Sequence, residues 1–141
     1  MEQSAAKEFI KWSDSEFGLG IATIDDHHRV LVALINEIYQ AFMERKHADS
    51  IVAIIQKLEE YAVFHFSFEE RLFDQVGYSQ KSEHVIQHQA FVKRVDAFRD
   101  QVDAGIDATF GIVNFLRDWL KAHIQEEDRK YVNELRAAGI A

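Results

Sequence analysis

Four stretches of this chain repeat one spacing, in which residues destined for a common face fall alternately four and three positions apart. The first runs Ile24, His28, Leu31, Ile35, Ile38 and Phe42. The second runs Ile51, Ile55, Leu58, Ala62, His65, Glu69, Leu72 and Val76. The third runs His84, His88, Phe91, Val95, Phe98 and Val102, and the fourth begins Val113, Leu116, Leu120 and His123. That period lays each series along one side of an α-helix. Four such helices joined by short loops predict an all-α fold, an up-down-up-down four-helix bundle. The scarcity of breakers agrees, with no proline and six glycines in 141 residues, too few for a many-turned β protein. What punctuation exists falls between the series. Asp49 and Ser50 suggest a cap after the charged stretch 44–50, Gly77 a left-handed stop followed by Ser79, and residues 103–109 a glycine and then an aspartate. The expected organisation is one domain over residues 1–141, with an N-terminal arm at 1–23 and the bundle at 24–138.

One local pattern opposes this reading. In FHFSFEE, residues 64–70, Phe64, Phe66 and Phe68 alternate with polar residues as in a strand. The helical series passes through the segment unbroken, and no turn residue lies between Ile51 and Gly77. The segment is therefore expected to be helix, with His65 and Glu69 inward and the phenylalanines on flanking positions.

The histidines carry the functional signal. Seam positions are two in every seven, so seven histidines placed blindly would put about two there. Five lie on seams: His28, His65, His84, His88 and His123. A lone inward histidine is an ordinary core residue, but burying five rings without partners costs on the order of 1–3 kcal/mol per unmet group. A metal centre satisfies them together. His27, turned about 100° from His28, and His47, in a polar loop, are expected to be solvated. The chain has no cysteine, so any metal is held by imidazole and carboxylate. Five histidines exceed what one tetrahedral zinc uses, and two metals sharing carboxylate bridges is the simplest arrangement. Imidazole suits iron, copper, zinc and nickel alike, so spacing does not choose the element.

After His123 the helix arithmetic becomes ambiguous. Glu127 lies about 40° round from His123 and Asp128 about 140° round, so spacing alone favours Glu127. Tyr131, Val132 and Leu135 nevertheless continue in phase with Asp128. A single π-type turn between 123 and 128 would produce that slip, and such turns gather at functional sites.

IDDHHRVL (24–31), HFSFEE (65–70), HVIQH (84–88) and WLKAHIQEEDRKY (119–131) resemble the four signature segments of the hemerythrins, in their bacterial single-domain branch. The resemblance covers nearly the whole chain, including an arm with Trp12 before the first segment. It implies a centre of two non-haem irons (Fe2+/Fe3+) with a bridging oxo or hydroxo group. His28 and His65 would hold one iron and His84, His88 and His123 the other, with Glu69 and Asp128 bridging both. Two histidines and three bridging oxygens leave one iron five-coordinate, and dioxygen would bind reversibly at the open position. The same resemblance places Leu120 beside that position as an apolar wall, with Trp119 and Phe66 nearby.

The expected function is thus dioxygen binding for storage, buffering or delivery, without enzymatic turnover. A sensor of oxygen, redox state or NO acting through an unknown protein partner is an alternative. So is a di-iron enzyme with weak peroxidase-type activity, although the Glu-x-x-His pairs of ferritin-like oxidases are missing apart from Glu44 and His47 in a loop. An iron store or a zinc protein is a third reading. The net charge of −8 offers no basic footprint for nucleic acid or for an anionic membrane surface. The N-terminal MEQSAAKEFIKW lacks a signal-peptide apolar run, and VLVALI at 30–35 is too short to span a bilayer. A cytoplasmic protein is expected.

Overall fold

The computed structural model describes residues 8–141; residues 1–7 of the expected arm lie outside it. Among the described residues there is no strand. A single-turn helix α1 (Asp14–Phe17) precedes α2 (Ala22–Met43), α3 (Ala48–Val76), α4 (Lys81–Asp103) and α5 (Thr109–Ala122). From the end of α5 the chain continues through a π turn (His123–Glu127) and a 3-10 turn (Asp128–Tyr131) into α6 (Val132–Ala137), all in one line of helical backbone. The four long helical stretches form the up-down-up-down bundle. α2 packs on α3 and α5, and α3 on α4. α4 meets α5 through an aromatic layer in which Phe91 lies 4.2 Å from Trp119 and Phe98 5.3 Å from Phe115, ring centre to ring centre. No helix among the described residues is long and apolar enough to cross a membrane.

The seams face the core as their spacing dictates, with two shifts near helix ends. On α3 the buried residue after Glu69 is Phe73, while Leu72 and Val76 are half-buried. Glu69 lies eighteen residues after Ile51, which is five turns of about 3.6 residues, so the stripe restarts with a step of four. On α2, Ala41 is buried and Phe42 half-buried against the core. FHFSFEE is helical throughout, but its phenylalanines are not equivalent: Phe66 is buried, Phe68 half-buried and Phe64 exposed.

Helix ends explain the loops. Gly77 adopts φ 65°, and the N–H groups of Gly77 and Tyr78 both return to the Phe73 carbonyl, a left-handed stop that glycine takes without a Cβ penalty. His47, rather than Asp49 or Ser50, caps α3 by accepting from the Asp49 N–H. Ser79 caps nothing; Gln80 precedes α4 without a side-chain cap. Asp107 accepts from the Thr109 N–H and hydroxyl at the start of α5.

The described part of the arm is fastened at both ends. Ile10 and the Asn36 side chain exchange two hydrogen bonds, at 2.7 and 2.8 Å. The buried Asp25 carboxylate accepts from the Leu19 and Gly20 N–H groups. Gly20 sits at φ 80° directly under Arg136, whose guanidinium donates to the Leu19 carbonyl. The start of the bundle is thereby tied to α6.

Candidate metal centre

All seven residues singled out by spacing and resemblance meet in the bundle interior. His28 comes from α2, His65 and Glu69 from α3, His84 and His88 from α4, His123 from the end of α5 and Asp128 from beyond the π turn. None is more than 5% exposed. His65 and Glu69, like His84 and His88, are one turn apart and share a helix wall. They divide into two donor groups. Glu69, His84, His88, His123 and Asp128 each place one nitrogen or oxygen within 4.8 Å of the others, and so do His28, His65 and Glu69.

The two carboxylates stand between the groups with one oxygen turned to each. Asp128 Oδ1 lies 2.9 Å from His84 Nε2 and 3.2 Å from His123 Nε2, while its Oδ2 lies 3.2 Å from His28 Nε2. Glu69 Oε1 lies 3.2 Å from His88 Nε2 and 3.8 Å from His84 Nε2, while its Oε2 lies 3.5 Å from His65 Nε2.

Close as these atoms are, most are not hydrogen-bonded to one another. The Nε2 atoms of His65, His84, His88 and His123, Glu69 Oε1 and both Asp128 oxygens are buried without a hydrogen-bond partner. Native interiors rarely tolerate such a concentration of unmet polar atoms. Imidazole nitrogens and carboxylate oxygens gathered in one dry space, most of them without a hydrogen-bond partner, are the donor set of a cation site. The residues present fit a metal.

Electrostatics points the same way. Burial and the Asp128 charge push the Glu69 carboxyl up, but His65 and His88 outweigh them and hold it below the usual carboxylate range. Burial likewise opposes ionisation of Asp128, and the facing His123, His28 and His84 reverse that and hold it well below its ordinary value. Burial alone would lower His123, whereas Asp128 and Glu69 raise it. The pocket thus stabilises positive charge, which a proton supplies without a metal and a cation supplies with one.

Other atoms of the cluster are held by neighbours. The Tyr131 hydroxyl donates to Glu69 Oε2 at 2.5 Å. His88 Nδ1 meets Glu70 Oε2 at 2.9 Å, and His65 Nδ1 meets His27 Nδ1 at 2.9 Å. Hydrogen bonds of this kind orient imidazoles whose other nitrogen faces a metal. Phe66 stacks on His88 at 3.8 Å, and Trp119 stacks on His123 at 4.3 Å. Both therefore cover the three-histidine group, and Phe66 also reaches His65 at 5.9 Å. Leu120, one turn before His123, is buried.

The π turn puts Asp128 rather than Glu127 in the interior. The Asp128 N–H donates to the His123 carbonyl, five residues back, so one extra residue fits into the turn and Asp128 faces inward. Glu127 turns outward, accepting from Gln87 at 3.0 Å and from Lys130. His47 is exposed, as expected. His27 corrects the expectation of a solvated side chain. It is half-buried, and burial together with His65 and His28 lowers its pKa. It occupies the position just before a seam residue, which in a bundle flanks the neighbouring helix. Tyr131 was visible only as an apolar stripe residue, and nothing in the spacing distinguishes Glu70.

Residues 19–135 match the family model described as the hemerythrin HHE cation binding domain. The chain is 37% identical over 127 residues to a bacteriohemerythrin of Clostridium acetobutylicum, covering 86% of this chain and 98% of that one. It is 34% identical over 125 residues to a bacteriohemerythrin of Pseudomonas aeruginosa, covering 89% and 80% respectively. A wild-type hemerythrin crystal structure superposes with a TM-score of 0.79 at 26% identity, over 90% of this chain and 98% of that one. The chain belongs to the hemerythrin family.

Proposed function

We propose that this protein binds dioxygen reversibly at a non-haem di-iron centre and serves oxygen storage, buffering or delivery in the cytoplasm. In this reading His84, His88 and His123 hold one iron and His28 and His65 the other, with Glu69, Asp128 and an oxo or hydroxo group between them. The observation that carries it is the division of each carboxylate, one oxygen toward the three-histidine group and one toward the two-histidine group. A single tetrahedral zinc uses four donors; the first group alone offers five.

Two irons there would supply the electrons for reversible oxygen binding at the position left open by the smaller histidine set. The chain's own residues supply the surroundings. Glu69 and Asp128 are held ionised by the facing histidines and bring two negative charges to the site. Tyr131 fixes Glu69 through its hydroxyl. Leu120 would keep water from the ligand together with Phe66, which reaches His65 as well as His88, while Trp119 covers His123 in the three-histidine half. Apart from these two carboxylates the donor set is imidazole, and histidine-rich, carboxylate-poor ligation favours binding over turnover.

Anaerobic reduction of the iron-loaded protein followed by admission of air tests the reading. It requires a visible band that appears with oxygen, fades when oxygen is removed and returns through repeated cycles. A band that dithionite abolishes and air does not restore would favour a redox enzyme instead.

A further inference from the structure

We propose that His27 is a positioning residue that secures the two-histidine half of the centre by accepting the Nδ1–H of His65. The inference rests on the di-iron reading. His65 turns Nε2 to the cluster, 3.5 Å from Glu69 Oε2. A metal there takes the Nε2 lone pair, so a neutral His65 carries its proton on Nδ1. That nitrogen lies 2.9 Å from His27 Nδ1. Two imidazole nitrogens so close share one proton, so His27 Nδ1 is the acceptor and its own proton sits on Nε2. The contact fixes both the tautomer of His65 and the plane of its ring.

His27 is itself held in place. Tyr61, Phe64 and Phe68 of α3 surround its ring at 5.9, 5.2 and 4.9 Å between centres. His27 adjoins His28 in sequence, so one contact between α2 and α3 governs both histidines of the smaller group. The three-histidine half is braced differently, with His88 donating to the Glu70 carboxylate at 2.9 Å. A carboxylate partner makes an imidazole a stronger donor than a neutral imidazole partner does. The half that has fewer histidines therefore also has the weaker brace, and its retention depends on His27.

The test is anaerobic release of Fe(II) from the full-length protein to a chromophoric chelator, with circular dichroism to check folding. Wild type should give up two irons per chain. His27→Phe keeps a ring in the aromatic cage and His27→Leu does not; both remove the acceptor. Each should accelerate loss of one iron by about 10- to 100-fold and leave the other near the wild-type rate. His27→Gln, whose amide oxygen can accept the same proton, should restore retention to within a few-fold. Glu70→Gln should accelerate the other phase. Wild type that fails to yield two irons overturns the di-iron reading and this inference with it. Wild type that yields two, with a folded His27→Phe or His27→Leu releasing both at the wild-type rate, overturns the role of His27 alone. So does a His27→Gln as leaky as His27→Leu, or acceleration of the same phase by the His27 and Glu70 variants.

Discussion

Tyr131 touches the cluster through a hydrogen bond, and Leu120 is buried one turn before His123. Tyr131 is fully buried, and its hydroxyl finds its acceptor in Glu69. Burial and the charges of Asp128 and Glu69 push its pKa well above the ordinary value, so it remains a neutral donor. Hydrogen bonds to charged groups contribute about 1.5–3 kcal/mol. Tyr131→Phe should therefore unfold at lower denaturant by about that free energy while keeping its iron; an unchanged midpoint would mean the bond contributes nothing. Leu120 offers only bulk. Leu120→Ala should cost about 2–5 kcal/mol of stability. If the side chain also keeps water from bound oxygen, the variant's oxygenated spectrum should decay faster in air at fixed pH. A folded, iron-loaded variant that decays no faster than wild type would reduce Leu120 to a core residue. Of these two, the seam spacing revealed Leu120. The role of Tyr131 was hidden, because an apolar stripe does not tell a tyrosine with a buried acceptor from one that merely packs.

At the scale of the helix, the decisive element is the π turn of residues 123–127. Its sequence, HIQEE, contains no breaker, and propensity gives no reason for an extra residue. It became legible only through its consequence, the apolar stripe resuming in phase with Asp128. The functional prediction follows from that geometry. Asp128→Ala and Glu69→Ala each remove an oxygen pair shared by both histidine groups and should abolish the paired centre. Glu127→Ala, whose carboxylate meets Gln87 and Lys130, should leave the oxygenated spectrum nearly intact. Iron analysis and the visible spectrum of the three variants check this, and an essential Glu127 with a dispensable Asp128 would contradict it. The long helices and their inward histidines were readable because period and burial coincide over many residues. His27 was misjudged because a flanking position becomes buried only when the neighbouring helix presents Tyr61, Phe64 and Phe68 to it. That information lies in tertiary packing.

For the molecule as a whole, metal and fold should be linked. Five histidines and two carboxylates converge from four helical stretches, so an ion bound there braces the whole bundle and stabilises the folded chain by mass action. Without metal, the raised pKa of His123 sets the sign of the pH dependence. Between its ordinary value of 6.5 and the raised folded value, the folded state holds more protons than the unfolded chain. The His123 contribution to the stability of the metal-free protein should be fully present below 6.5 and be lost as pH rises through the folded value. With metal bound, the cation replaces that proton and this loss should disappear. Urea midpoints of the metal-free and iron-loaded forms on both sides of the transition check this, and parallel pH profiles would contradict it. The most direct measurement joins elemental analysis to the visible spectrum of one sample, taken in air, after dithionite and after re-aeration. Two irons per chain, with an oxygen-dependent band that disappears and returns, is the predicted result. One zinc and no iron, or iron without a restorable band, would contradict reversible oxygen binding at a di-iron centre.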